Sequence, residues 1–256
     1  MIENRAAHEV AHGQYLAAHD PETVWGWGTP AGRRRAARRA RIISDGAALG
    51  PGIRALEIGC GTGLFTWHFA ATGAEILAVD ISPDLLAVAR TRDVPAERVS
   101  FLLARFEDLP ADRQFDSVIG SSVLHHLELD IALPQILRLL KPGGLASFAE
   151  PNMLNPQVFL ERSVPALRKR FHVSPDETAF VRWRFAKTLE RHGFDRVTIE
   201  PFDWLHPFTP APLIGAVLSA GALLERLPIV REFSGSLAIR FRRPDNSCLG
   251  RRTHPA

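Results

Sequence analysis

The sequence predicts an α/β fold: a doubly wound, mostly parallel sheet of seven strands with helices on both faces. Three observations carry this. From Ile53 onward, short apolar runs alternate with stretches that read as helix. The run Leu56-Glu57-Ile58 enters a turn with glycine at alternate positions, Gly59, Gly61 and Gly63, and then a helix from Leu64 to Ala70. The next run, Ile76 to Val79, closes on a carboxylate, Asp80, about twenty positions after the first glycine.

Taken in order, residues 1–43 form a helical segment ahead of the core, with the Trp-rich turn Trp25 to Pro30 and an arginine-rich helix over 33–43. The main domain covers 44–243. Its first five strands are Ile53–Ile58, Ile76–Val79, Val99–Leu103, Phe115–Gly120 and Leu145–Ala149. Ser82-Pro83-Asp84 opens a helix, with serine as N-cap and proline at the first helical position. Ser174-Pro175-Asp176-Glu177 repeats the device as a capping box, opening a helix that ends at Gly193. Arg196–Phe202 and Ser236–Phe241 supply the last two strands. Insertions follow the fifth strand (151–173) and the sixth (203–235), and 244–256 is a polar tail. The segment around Pro212 to Leu227 can wall a hydrophobic pocket, join a homodimer or lie on a membrane surface. Its thin polar face predicts burial.

Composition narrows the function classes. A formal charge of +3 is too small an excess to mark a nucleic-acid footprint. Two cysteines, Cys60 in the glycine turn and Cys248 in the tail, form neither a disulfide framework nor a metal-ligand spacing, which points to a reducing cytoplasm. The longest apolar run, Leu213 to Leu224, is shorter than the roughly 20 residues that span a bilayer, and the N-terminus lacks the apolar core of a secretory signal.

The chemistry-bearing residues begin at the glycine turn. Glycine suits positions of positive φ and close ligand approach, and the N-terminus of the following helix favours an anionic group. Asp80 stands where a carboxylate can accept hydrogen bonds from both hydroxyls of a ribose. Together they specify a nucleoside-containing ligand.

These residues, with Val79-Asp80-Ile81-Ser82, Leu109-Pro110 ahead of Phe115-Asp116-Ser117-Val118, and Leu140-Lys141-Pro142-Gly143-Gly144, resemble the class I S-adenosylmethionine-dependent methyltransferases over roughly 53–202. The resemblance implies a Rossmann-like fold, S-adenosylmethionine as cofactor and a small-molecule acceptor; the two insertions and the hydrophobic segment around 212–227 point to a natural-product or lipid-like one. It also implies that Gly59, Cys60, Gly61 and Gly63 line the methionine end, Glu57 orients its ammonium, Asp80 holds the ribose and Ile81 packs on adenine. Arg105 departs from the family pattern, which has aspartate there. The contact to the adenine amino group then falls to Glu107 or Asp108, with Phe106 offering its backbone N–H. Ser121 lies in the motif beneath the methyl donor, and Tyr15, Trp25 and Trp27 belong to a segment that covers the cofactor as a lid or packs on the sheet edge.

His125, His126 and Glu150 are the candidate general bases, since each follows a strand at the expected site edge. The same residues read equally as loop-shaping groups. Arginines 33, 34, 35, 38, 39 and 41 read either as an anion-recognising cluster or as a solvated helix face. Two other functions fit a glycine turn with a following acid: a nicotinamide dehydrogenase and a non-catalytic S-adenosylmethionine-binding protein. Against the dehydrogenase, its third glycine falls one place later, where Leu64 stands.

Overall fold

The structure, a computed structural model, describes residues 2–110, 112–164 and 179–245. Seven strands form one sheet: β1 (Arg54–Ile58), β2 (Glu75–Asp80), β3 (Val99–Leu103), β4 (Phe115–Ser121), β5 (Leu140–Pro151), β6 (Asp195–Phe202) and β7 (Ser236–Arg242), in the order β3-β2-β1-β4-β5-β7-β6. All neighbours are parallel except β7, which runs antiparallel to β5 and β6. The order reverses between β1 and β4, and a crevice opens at the carboxyl ends of strands where such a reversal occurs.

Helices cover both faces. Side chains of β1 alternate: Leu56 and Ile58 join a core with Leu133, Ile136 and Leu189, while Ala55 joins a second core with Ile43, Phe69 and Leu86. These partners come from α6 (Leu129–Leu139) and α8 (Arg182–Arg191) on one side, and from α3 (Pro30–Gly46), α4 (Leu64–Ala70) and α5 (Pro83–Ala89) on the other. The N-cap reading of Ser82 matches the geometry, its Oγ accepting from Leu85 N with Pro83 in the first turn. Thr29 caps α3 in the same way, accepting from Gly32 N ahead of Pro30.

Several expectations are corrected. β5 starts at Leu140, not Leu145: Leu140 pairs with Phe115 before a register shift, and the Lys-Pro-Gly-Gly stretch is a bulge inside the strand. Gly143 takes φ 78 there, and Gly143 N and Gly144 O bond to the backbone of Arg243 at 3.0 and 2.9 Å. The capping box over 174–177, like the tail from 246, lies outside the described residues; α8 opens after Val181, and Gly193 follows it at φ 89. In the second insertion α9 (Ile214–Leu224) is exposed where burial was expected, with Gly221 its one buried residue. Polar ties fix this insertion instead: Glu225 takes both Nη groups of Arg38 at 2.9 and 2.6 Å and the Asp203 N–H at 2.9 Å.

Candidate active site

A cleft of about 400 Å³ lies over the carboxyl ends of β1, β2 and β4, within the size range of small-molecule sites. Its floor is the glycine turn. Gly59, Gly61 and Gly63 adopt φ 66, 52 and 73, a region other residues occupy at a cost. A Cβ on Gly59 would meet Val123 Cγ2 at 2.5 Å, whereas one on Gly61 would project toward the cleft, meeting only Trp25 at 3.7 Å. Cys60 lines the cleft and fixes the turn through its N–H to Val79 O at 3.0 Å; burial pushes its thiol well above the ordinary range. Gly63 is outside the lining. It caps α4 and lies so close to Ala89 that a Cβ would come within 3.1 Å.

Asp80 ends β2 at the cleft wall, accepting from Gly61 N at 2.7 Å and Ser82 N at 2.8 Å. Burial raises its carboxyl above the usual range, against the lowering effect of these backbone N–H groups. Ile81, Arg105, Phe106 and Glu107 continue the wall. Of the two acids expected to replace the missing aspartate, Glu107 is the one on the cleft; Asp108 is turned outward, its carboxylate 3.9 Å from Arg105 Nε. Gln135 holds this turn by donating to Leu109 O at 2.7 Å and Phe106 O at 3.3 Å.

Glu57 lies behind the floor, fully buried, and accepts from Thr66 Oγ1 at 2.6 Å. Burial pushes its carboxyl up to about 8, the Thr66 hydrogen bond opposing and the Asp80 charge adding. A folded-state value raised from 4.5 to about 8 means the folded chain holds one proton more than the unfolded chain across that window. Stability therefore falls as pH rises from the lower value to the upper. Glu57→Gln is expected to remove this slope, so that the variant gains on the parent between pH about 5 and 8. Urea denaturation at several pH values checks it, and parallel curves for the two proteins would refute it.

The N-terminal segment closes the top. Helix α1 (Ile2–Ala18) contributes Arg5, Glu9, His12 and Leu16 to the lining, and the turn after α2 (Pro21–Val24) contributes Trp25 and Trp27. Gly13 permits the approach: a Cβ there would be 2.3 Å from Ser82 Oγ. Glu9 meets His126 Nδ1 at 3.1 Å, Glu22 pairs with Arg92, and Trp27 packs edge-on to Phe65 at 5.5 Å. Tyr15 is outside the lining, its ring stacked on His19 at 4.2 Å.

The remaining wall follows β4. Ser121, Ser122, His125 and His126 all line the cleft. The two histidines differ: His126 faces Glu9, whereas His125 is buried with Nδ1 2.6 Å from Glu150 Oε2. Glu150 is fully buried and also accepts from Val123 N and Leu124 N at 3.0 and 2.9 Å. Burial pushes its carboxyl up, but the bond to His125, that ring's charge and the two backbone N–H groups outweigh it and leave it below the usual range. An ionised acceptor there assigns a proton to Nδ1, and when the ring is neutral Nε2 is then its acceptor.

Sequence reasoning missed the rest of the α1 face and Arg162 at the cleft edge on α7 (Pro156–Ser163), whereas Trp25 and Trp27 both line the cleft. It also left Arg39 undistinguished among the arginines. Arg33, Arg34 and Arg41 are exposed and Arg35 pairs with Asp203 at 2.9 Å, but Arg39 is buried beneath the cleft. Its Nη groups donate to Ser122 Oγ at 2.9 Å, Ala149 O at 3.1 Å and Ser236 Oγ at 2.5 Å, and burial pushes its guanidinium down to about 10. The helical spacing of 35 and 39 was a signal that these two share a face, but their partners lie more than 80 positions away in sequence.

The sheet order, the glycine turn and the acid ending β2 define a Rossmann-like protein built to bind a nucleoside cofactor. Residues 56–148 match the family model described as Methyltransferase domain. Demethylmenaquinone methyltransferase of Parafrankia sp. (strain EAN1pec) is 31% identical over 185 residues, 59% of this chain and 73% of that protein. Ubiquinone biosynthesis O-methyltransferase of Xanthomonas campestris pv. campestris (strain B100) is 37% identical over 98 residues, 37% of this chain; the chain spans 41% of that relative's length. The N-methyltransferase NodS from Bradyrhizobium japonicum WM9, solved with S-adenosyl-L-homocysteine, shares the fold at a TM-score of 0.60 and 19% identity, covering 92% of this chain and 98% of that one. The chain belongs to the class I S-adenosylmethionine-dependent methyltransferases. The cleft fits the family's cofactor: its volume, a floor without side chain at Gly61, and a buried carboxylate at Asp80 match an amino-acid tail joined to a nucleoside.

Proposed function

We propose that the protein methylates a small molecule at an acidic hydroxyl, or at a carbon activated by losing that proton. The observation that carries this reading is the buried Glu150 carboxylate 2.6 Å from Nδ1 of His125, a ring that borders the cleft. S-adenosylmethionine supplies an electrophilic methyl group on a sulfonium. Gly59, Cys60, Gly61 and Asp80 orient it, and α1 with Trp25 and Trp27 excludes water. His125 Nε2 would take the proton that the acceptor loses on methylation, with the bound cofactor supplying the methyl group and departing as neutral S-adenosylhomocysteine. Glu150 stabilises the imidazolium. An amine acceptor that is already neutral needs no such base, and two relatives bear names from quinone biosynthesis, one of them an O-methyltransferase.

A small net charge argues for a small-molecule acceptor over nucleic acid, and the scarcity of cysteine supports a cytoplasmic reaction. Among the described residues no helix is long and apolar enough to cross a membrane. The test is transfer of a labelled methyl group from S-adenosylmethionine to a catechol, a naphthoquinol and a primary amine in parallel. Label on the phenolic or quinol acceptors is expected. Label on the amine alone would overturn the base assignment, and bound cofactor with no transfer to any of them would favour a non-catalytic protein.

A further inference from the structure

The two insertions meet on one side of the molecule. Asn155, which caps α7, donates to Phe233 O at 2.8 Å, and Asn152 donates to Glu232 O and Ser234 O at 2.7 and 2.8 Å. Helix α7 places Arg162 on the cleft while Phe159 and Leu160 remain 51% and 49% exposed. On the other insertion, Leu223, Leu227 and Ile229 are 60%, 43% and 79% exposed, and α9 buries only Gly221, against Trp204. Scattered apolar side chains on a surface are ordinary, but a face built from two joined insertions marks an interaction site.

On α7 the charges of Glu161 and Arg162 offset each other, so the second insertion and α3 set the charge around this face. The two acids between 204 and 235 are both neutralised, Glu225 by Arg38 and Glu232 by Arg182 at 2.6 Å. Arg226 is exposed just beyond α9, and α3 exposes Arg34 and Arg41 on the stripe that carries Arg38, at helical spacings of four and three. An apolar centre with an arginine rim matches an anionic phospholipid surface, where acyl chains take the centre and headgroups the rim. A two-fold dimer through the same face would set arginine rims against each other.

We propose that the face formed by α9 and α7 seats on an anionic bilayer surface, with α9 lying in the headgroup layer and the cleft edge at Arg162 beside the lipid. Docking does not require the methyl-transfer reading, so either can fail alone. The full chain is mixed with phosphatidylglycerol-containing vesicles and with pure phosphatidylcholine vesicles, and co-sedimentation is measured. Binding to the anionic vesicles is expected, weakened by about 0.5 M salt. The double variant Leu223→Asp, Ile229→Asp is expected to bind at least about tenfold more weakly, with cofactor affinity and melting temperature kept. Arg34→Glu with Arg226→Glu is expected to lose the preference for anionic lipid. Failure to sediment with anionic vesicles, or equal sedimentation of the Asp variant, would overturn the proposal. So would a dimer in light scattering that the Asp variant abolishes and vesicles do not displace, since a second copy would then cover the face.

Discussion

Asp80→Ala is expected to weaken binding of S-adenosylmethionine and S-adenosylhomocysteine by at least about a hundredfold. Asp80 stands at 8% exposure on the cleft wall, and its two carboxylate oxygens already organise the backbone on either side, one taking the Gly61 N–H and the other the Ser82 N–H. Each hydrogen bond to a charged group contributes about 1.5–3 kcal/mol, so losing two to a ribose costs about two orders of magnitude or more. The alanine variant also leaves those two amides without their acceptor, which adds disorder in the glycine turn. Asp80→Asn separates the effects, since its amide oxygen keeps one backbone bond while the charge is lost; an intermediate affinity is expected. Calorimetry with S-adenosylhomocysteine measures both. Unchanged affinity in a folded Asp80→Ala protein would end the ribose assignment.

Glu150→Gln is expected to cut kcat by about 10²–10⁴ while cofactor affinity stays close to that of the parent. A glutamine oxygen can still accept from Val123 N and Leu124 N, so the loop is held. Its amide nitrogen then faces His125 Nδ1, which must become an acceptor, and the ring proton moves to Nε2. A ring protonated there cannot take a proton from an acceptor. His125→Ala is expected to match this loss and Glu150→Gln combined with it to add little, because the two act as one unit. His126→Ala is the comparison: its partner is Glu9 of α1, so a milder change is expected, expressed in KM. Equal activity of Glu150→Gln and the parent enzyme in single-turnover assays would remove the dyad from the mechanism.

The strands of the core were legible because burial on both faces leaves apolar runs that end at glycine, proline or a charge. Val99–Leu103 was placed to the residue, and β1, β2 and β4 to within one or two. The start of β5 was not, because its Lys-Pro-Gly-Gly bulge is held by Asp116 and Arg243, one 25 positions away and the other 100 or so. Helix α9 misled for a different reason. An apolar helix inside a folded chain reads as buried, yet this one is fixed by Glu225 at its end and by Trp204 against Gly221, which leaves its flanks outside.

The sequence by itself determined the glycine turn, the acid twenty or so positions on, the order of strands and helices, and hence the cofactor class, because each depends on backbone conformation and periodicity within a few residues. Only the tertiary structure decided which of Glu107 and Asp108 reaches the cleft, which histidine pairs with Glu150, and that Arg39 alone of its cluster is buried. Those choices depend on partners 25 to 197 positions apart, brought within 3.5 Å by packing, and one chain read linearly carries no record of that distance.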